Sequence, residues 1–406
     1  MLVRRLCAGI VCASFVFGSS SALSGDENIT LGAALSLTGK YAVSGAHTKN
    51  GYDLAVEKIN KKGGVKLGGR AYEFGILYYD DESTPVRSTE LVERLIRQDN
   101  VRFILGPYSS LLTKAALPIV EKHHVPMVEA NGASRDIFAR GYQYLFAVLS
   151  TSENYLTQAI DLAVAYAADF GKAPSELTLA MATEDAPFAQ DVRAGVLAGV
   201  TQSGINLVID DRLPPELDDM STTLSKVVEL KPDMLVVSGH DKGALTVVRQ
   251  IEELQVSVPM IALTHCDAAQ VEKKFPKTSS HIFCAQQWHR SFRHKGKLFG
   301  SAEDFAQAFE TAYGYAPPYQ AAQSAVAVYV FADALKRAQS LDAEKVRDAI
   351  AATDLQTFYG PIKFDESGKN IAKQVILTQI IDGTYVVVAP KELAEQDPVI
   401  PRPSHE

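Results

Sequence analysis

The sequence predicts an α/β protein made of mainly parallel sheets flanked by helices. Short apolar, β-rich runs alternate with amphipathic helical stretches almost from end to end, a pattern that builds parallel sheets with helices on both faces. About 380 residues follow a leader-like N-terminus, which at roughly 150 residues per domain suggests two or three domains. No segment beyond that leader approaches the roughly 18 consecutive apolar residues that cross a membrane. Strands are expected at residues 29–35, 72–80, 101–106, 126–130, 177–182, 206–211, 234–238, 260–263 and 282–285. Helices are expected between them at 46–61, 85–98, 113–123, 153–170, 186–203, 219–229 and 243–254. Ligands in folds of this class sit beyond the carboxyl ends of the strands.

The ninth strand is followed by a different passage, residues 286–300, which contains Trp288 and reads as a crossing segment or loop. Helical patterns resume at 302–313, 320–339 and 342–352, and a β-rich section at 362–389 turns at Asp382-Gly383, a hairpin dipeptide. Residues 391–406, which follow Pro390 and carry three further prolines, are expected to be loosely ordered.

Residues 1–24 have the make-up of a secretory signal peptide: Arg4 and Arg5, a mostly apolar stretch to Gly18, then small residues to Ser24. Cleavage after Ala22 or after Ser24 fits equally. Ile10 and Val11 ahead of Cys12 lack the small residue that precedes a lipidated cysteine. Removing the leader takes two of the 40 Lys and Arg and none of the 48 Asp and Glu, so the mature charge is −10. That surface disfavours nucleic acid and anionic lipid as partners. Of the four cysteines only Cys266 and Cys284 remain after cleavage; a disulfide and two buried thiols are both compatible with the sequence.

Specific segments carry a family resemblance. Leu35-Ser36-Leu37-Thr38-Gly39, Gly45, the run from Gly51 to Asn60 and Gly63-Gly64-Val65 resemble the opening of leucine/isoleucine/valine-type periplasmic binding proteins. Asp80-Asp81 with Pro85, Leu95-Ile96, the run from Ile104 to Ser110 and Val125-Pro126-Met127 continue the likeness in order. Phe358-Tyr359-Gly360-Pro361, Phe364-Asp365 and Gly368 extend it to the C-terminal part. Around Gln286-Gln287-Trp288 the chain also resembles a branch that includes binders of aromatic carboxylates. The resemblance implies two Rossmann-like lobes joined by three hinge crossings, with the ligand between them. One lobe then holds residues 27–147 and 290–356, the other 148–289 and 357–390, and the chain crosses near 148–150, 286–289 and 358–361. It further implies a monomeric, periplasmic partner of ABC importer permease subunits that needs no cofactor.

A carboxylate taken out of water between lobes needs hydrogen-bond donors already aimed at it. The turn Gly106-Pro107-Tyr108-Ser109-Ser110 ends a strand and precedes a helix expected to begin near Leu111, where backbone N–H groups and the helix dipole favour an anion. Ser110 matches the family's ligand serine, with Ser109 and Tyr108 beside it; a helix cap is the plainer role for either serine. In the next loop Ala133 stands where the family has a threonine, so Asn131 or Ser134 is a substitute. Tyr41, Phe188 and His240 fall where the family sets aromatic or polar residues against the ligand. His265 stands near the family's acidic residue, which accepts from a ligand ammonium. An imidazole serves an ammonium poorly and an anion or aromatic ring better, although Glu184, Asp241 or Asp267 is still able to supply negative charge. The ligand class is therefore a hydrophobic amino acid or an aromatic or other organic acid.

Other readings fit less well. No G-x-S-x-G, H-E-x-x-H, P-loop, C-x-x-C or G-x-G-x-x-G occurs in the mature chain, which argues against a hydrolytic or other enzyme. His265, Cys266, His281, Cys284, His289 and His294 lack the paired spacing of a zinc site, so no metal is expected. A ligand-sensing subunit uses the same fold and requires a separate signalling partner.

Overall fold

The computed structural model describes residues 27–403. The leader reading of residues 1–24 lies outside the described residues. Two sheets form the two lobes. The first runs in the order Val65–Leu67, Arg70–Asp80, Glu27–Leu35, Ile104–Leu105, Met127–Glu129, Leu145–Ala147. Only its outer pair, Val65–Leu67 with Arg70–Asp80, is antiparallel. In the central strand Leu31, Ala33, Ala34 and Leu35 are fully buried, as a parallel strand covered on both faces requires. The second sheet runs Thr384–Ala389, Ile376–Ile381, Phe283–Gln286, Met260–Thr264, Met234–Ser238, Thr178–Glu184, Asn206–Leu213. Its final hairpin, turning at Asp382-Gly383, adds antiparallel strands to one edge.

The late helix Tyr319–Ala338 returns to the first sheet, lying along the early helix Ala42–Lys61. Gly51 permits that closeness, because a Cβ there would lie 2.2 Å from the Ala321 carbonyl oxygen. The chain therefore passes repeatedly between lobes, and one side chain gathers the passages. Gln287 Oε1 accepts from the Ser150 N–H (2.8 Å) and the Tyr359 hydroxyl (3.1 Å). Its Nε2 donates to the Ser150 carbonyl (3.0 Å) and to Tyr155 Oη (2.5 Å). A fully buried amide thus ties residues from all three expected crossings, with each polar atom satisfied.

Cys266 and Cys284 form a disulfide, with Cα atoms 6.0 Å apart, which closes the alternative the sequence left open. Closing a loop of this length stabilises by about 3 kcal/mol in the chain-entropy account. Two expectations need correction. Residues 153–170 are not one helix: a 3₁₀ turn at Ser152–Asn154 precedes a helix at Thr157–Ala165 and a second turn at Ala167–Phe170. Gly195 of the helix Pro187–Ser203 sits so close that a Cβ would lie 1.8 Å from the Glu153 carbonyl oxygen, and that carbonyl belongs to the turn. Nor is the tail loose across 391–403. Glu395 exchanges backbone and side-chain bonds with Val387, Val399 pairs with the Gln379 amide, and the Arg402 N–H donates to the Pro259 carbonyl. Proline content marks a segment that cannot form a ladder, not one without partners.

Replacing Gln287 by Leu strips its amide from the Ser150 N–H and carbonyl and from Tyr155 Oη in the interior, while the Tyr359 hydroxyl keeps Gln323 Oε1. We expect urea unfolding to report a loss on the order of 3 kcal/mol, and a loss under about 0.5 kcal/mol would remove the amide from this role.

Candidate functional site

The carboxyl ends of the two sheets face each other, and the residues that follow those ends make the site. After the strand Glu27–Leu35 the chain turns at Thr38-Gly39 and enters the helix at Tyr41, whose ring is buried. After Ile104–Leu105 come Tyr108 and Ser109, then the helix Ser110–Lys122, one residue earlier than expected. Ser109 has φ +82° and ψ 149°, a region that belongs to glycine and costs about 1–3 kcal/mol for other residues. Its hydroxyl is buried without a partner.

Ser110, the position matched to the family's ligand serine, opens the helix with its hydroxyl turned to the next loop. Its Oγ accepts from the Ala133 and Ser134 N–H groups, both at 3.0 Å, and so fastens the neighbouring loop. Asn131 lines the space between the lobes, but its amide is fully engaged: Nδ2 donates to Thr48 and Ser324, and Oδ1 accepts from Gln323. Ser134 donates to Asp191 at 2.8 Å. Ala133 contributes its methyl group to the wall. Beneath this loop Glu129 is fully buried and accepts from the Asn131 and Gly132 N–H groups and Thr113 Oγ1. Burial outweighs those bonds and pushes its pKa up to about 7.

From the second sheet, Glu184 ends one strand, Phe188 opens the next helix, His240 follows Ser238, and His265 follows Thr264. His240 Nδ1 lies 2.6 Å from Glu184 Oε2, and Lys40 approaches the same carboxylate at 3.8 Å. Burial raises the Glu184 pKa, but His240 and Lys40 together leave it below the usual value. His265 is fully buried; burial first, then the nearby His240, hold its pKa well below the ordinary imidazole range. It is a neutral ring in a left-handed backbone conformation (φ +62°), and its Nδ1 has no hydrogen-bond partner among the described residues.

These rings meet. Tyr41 and His240 have centroids 4.7 Å apart, Tyr41 and Tyr108 5.6 Å, Phe188 and His240 5.6 Å, Phe188 and His265 5.2 Å. Tyr155 and Tyr319, which the sequence reading missed, complete the ring of contacts against Phe188 and His265. Also missed was Gln320, 1 % exposed, whose side-chain oxygen and nitrogen both lack partners. The signal available was Pro317-Pro318, which sets the start of a helix whose first turn faces the other lobe. The free space inside is about 10 Å³, enough for no more than about one water. Of the groups lining it, Tyr108 Oη, His265 Nδ1 and the Gln320 amide are buried with no hydrogen-bond partner among the described residues, as are Tyr41 Oη and Ser109 Oγ behind Tyr108. Burial, then Glu184, raises the Tyr41 pKa far above that of free tyrosine, and burial does the same to Tyr108, so both phenols stay protonated donors.

Polar contacts close the rim. Ser44 donates to Asp241 at 2.9 Å, His47 Nε2 lies 3.2 Å from the Ala268 carbonyl oxygen, and the Tyr319 N–H donates to Asp267 at 3.1 Å. On the other flank Arg135 joins Ser134 on Asp191.

The profile of the periplasmic binding protein family matches residues 28–384. The chain belongs to that family. It is 23% identical over 397 residues to Leu/Ile/Val-binding protein homolog 8 of Brucella abortus, covering 95% of each. It is likewise 23% identical to homolog 7 of Brucella suis, covering 92% of this chain and 94% of that protein. Solved members share the family's two-lobed fold. The substrate-binding protein LivJ of Streptococcus pneumoniae, in complex with isoleucine, superposes with a TM-score of 0.76 at 21% identity, over 90% of this chain and all of that one. A solute-binding protein of R. palustris, in complex with benzoate, gives 0.75 at 21% identity, over 89% and 95%. Family members of this kind serve transport, and among the described residues no helix is long and apolar enough to cross a membrane.

The two serines separate in stability. Ser110→Ala strands two buried N–H groups and should lower the unfolding free energy by about 1–3 kcal/mol, whereas Ser109→Gly relieves its backbone and should raise it by about 1 kcal/mol. Equal losses in urea unfolding would contradict both roles. Glu129 adds a pH signature. Its folded pKa is about 7 against 4.5 for the free side chain, so the folded state holds a proton that the unfolded chain releases between those values. Its contribution is full below the lower value and is lost as pH rises through the window, at up to about 1.4 kcal/mol per pH unit. The stability of wild type relative to Glu129→Gln should therefore fall between about pH 5 and pH 7, and a flat difference would refute the shift.

Proposed function

We propose that this chain is the periplasmic solute-binding component of an ABC importer, and that it captures a small aromatic carboxylate by hinged closure of its lobes. The observation that carries this reading is the ring-lined junction in which several hydrogen-bonding groups are buried without partners. Buried polar groups are ordinarily satisfied, because an orphan costs about 1–3 kcal/mol. A cluster of orphans at one place is an arrangement awaiting a ligand. Tyr41, Tyr108 and Ser109 supply hydroxyl donors to a carboxylate. Phe188, His240, His265, Tyr155 and Tyr319 supply faces and edges to an aromatic body, and Gln320 suits a polar substituent on it. Ser110, Asn131, Ala133 and Ser134 shape the loop behind.

An amino acid is less well served. The neutral His265 stands where an ammonium needs a negative partner, Glu184 is already paired with His240, and Asp241 with Ser44. The aromatic acids held by two R. palustris neighbours, benzoate and 3,4-dihydroxy benzoic acid, support the class. The bodies that move are residues 27–147 with 290–356 and residues 148–289 with 357–390. The ligand docks on one lobe and gains the other's contacts on closure, so its differential affinity sets the closed population that permease subunits engage. No cofactor and no chemical step are required. The leader delivers the chain to the periplasm.

Thermal-shift and calorimetric screening of the mature protein should find benzoates that raise Tm, since a ligand that binds only the folded form stabilises it. Tyr108→Phe should weaken such a ligand by about 1–3 kcal/mol. Binding of leucine or isoleucine with no response to benzoates would overturn the aromatic assignment.

A further inference from the structure

Beyond Tyr319 a second cavity of about 240 Å³ opens between the lobes, sharing no wall residue with the ring-lined junction. Asp267 and Glu272 contribute from the short helices after His265, Gln286 and Trp288 from the second crossing, Tyr385 from the final hairpin, and Pro317 and Pro318 from the segment ahead of the late helix. Gln286 is 2 % exposed, and its side-chain amide forms no hydrogen bond with any described residue. The Trp288 indole N–H, 3 % exposed as a residue and lining the same cavity, is buried with no hydrogen-bond partner among the described residues, a group for which native interiors ordinarily supply a partner.

The charges lining the void are unequal. Asp267 accepts two backbone N–H groups, from Ala268 and Tyr319, and Glu272 accepts the Tyr385 hydroxyl. Neither carboxyl has an ion-pair partner among the described residues. Arg290 reaches the rim but is held by Glu303 and Glu310, His289 lies beside Glu395, and Lys273 is exposed. Burial raises the Asp267 pKa to about 7, with Glu272 adding to the rise, and burial raises that of Glu272 as well. Each carboxyl is thus short of positive charge. No group of three metal-ligating side chains exists among the described residues, so a metal ion is poorly served. An ammonium group is well served: it carries three donors, which match Asp267, Glu272 and the Gln286 oxygen. The Trp288 ring and the two prolines offer an apolar and cation-attracting wall for the rest of the molecule.

We propose that this cavity is a second ligand site, selective for a small primary amine carried on an apolar or aromatic body. It is independent of the carboxylate site and stands or falls apart from it. Because its walls come from both lobes and from a crossing, an amine bound there favours the lobe arrangement described here.

Trp288 is the only tryptophan in the chain and lines this cavity, so its emission reports on the site directly. The probe is 2-phenylethylamine, titrated into the mature protein with 2-phenylethanol as the uncharged control. We expect a saturable change with the amine, binding of the alcohol about ten-fold weaker, and about ten-fold weaker amine binding in Glu272→Gln. The alcohol comparison on wild type needs no variant and keeps the test sound if Glu272→Gln folds poorly. No saturable change up to about 10 mM amine, or equal responses to amine and alcohol, would overturn the proposal.

Discussion

Two sheets linked by three chain passages can meet only where their strands end, and everything at the junction follows from that constraint. Strand ends release the backbone into turns and helix starts, which is where polar groups and unusual conformations gather. Here the meeting surfaces are mostly aromatic: Tyr41, Tyr108 and Tyr319 from one lobe face Phe188, His240 and His265 from the other. Their burial holds the lobes together while the hydroxyls and amide among them remain unmatched. Gln287 supplies the opposite condition at the pivot, with every polar atom satisfied. In the proposed closure, a fully bonded pivot beside an unsatisfied cleft would confine the motion to the cleft.

The electrostatics divide along the same line. Glu184 is hydrogen-bonded to His240 and approached by Lys40, and Asp241 accepts from Ser44, so both carboxyls beside the rings are engaged. The contacts that bridge the rim are hydrogen bonds, such as Ser44 with Asp241, Ser134 with Asp191 and the Tyr319 N–H with Asp267, and one partly exposed ion pair, Arg135 with Asp191. Water can replace such bonds at small net cost, so they mark closure without locking it. Strain at Ser109 and His265 is concentrated on the same surface, and a rigid flanking helix and disulfide hold it in place.

Much of the fold was legible in the sequence because parallel strands buried on both faces read as continuous apolar runs, as in Met234–Ser238 and Met260–Thr264. What escaped was set by tertiary approach. The turn at Ser152–Asn154 answers to Gly195, forty residues on, and short strands such as Leu145–Ala147 carry too few residues to show a period. At the site, motif likeness pointed to Tyr41, Tyr108, Ser109, Phe188, His240 and His265, and the structure gathers these at the junction between the lobes. For Ser110 the motif offered a ligand contact or a helix cap, and the structure adds the anchoring of the loop N–H groups of Ala133 and Ser134, a tertiary contact that no local pattern encodes. Tyr155, Tyr319 and Gln320 were invisible because each sits near the start of an ordinary helix or turn, and its role depends on which lobe that element faces.

The central claim is that the lobes part to admit a ligand and close around it, since the free space between the rings is about 10 Å³. Spin labels at the exposed positions Glu82, after the strand Arg70–Asp80 of the first sheet, and Glu216, after the strand Asn206–Leu213 of the second, allow pulsed electron resonance to measure the interlobe distance directly. A longer or broader distribution is expected in the ligand-free protein, which an aromatic carboxylate narrows to a single closed spacing, longer than that of the structure described here by the room its ring requires. A single distance, unchanged by any ligand that raises the melting temperature, would contradict it.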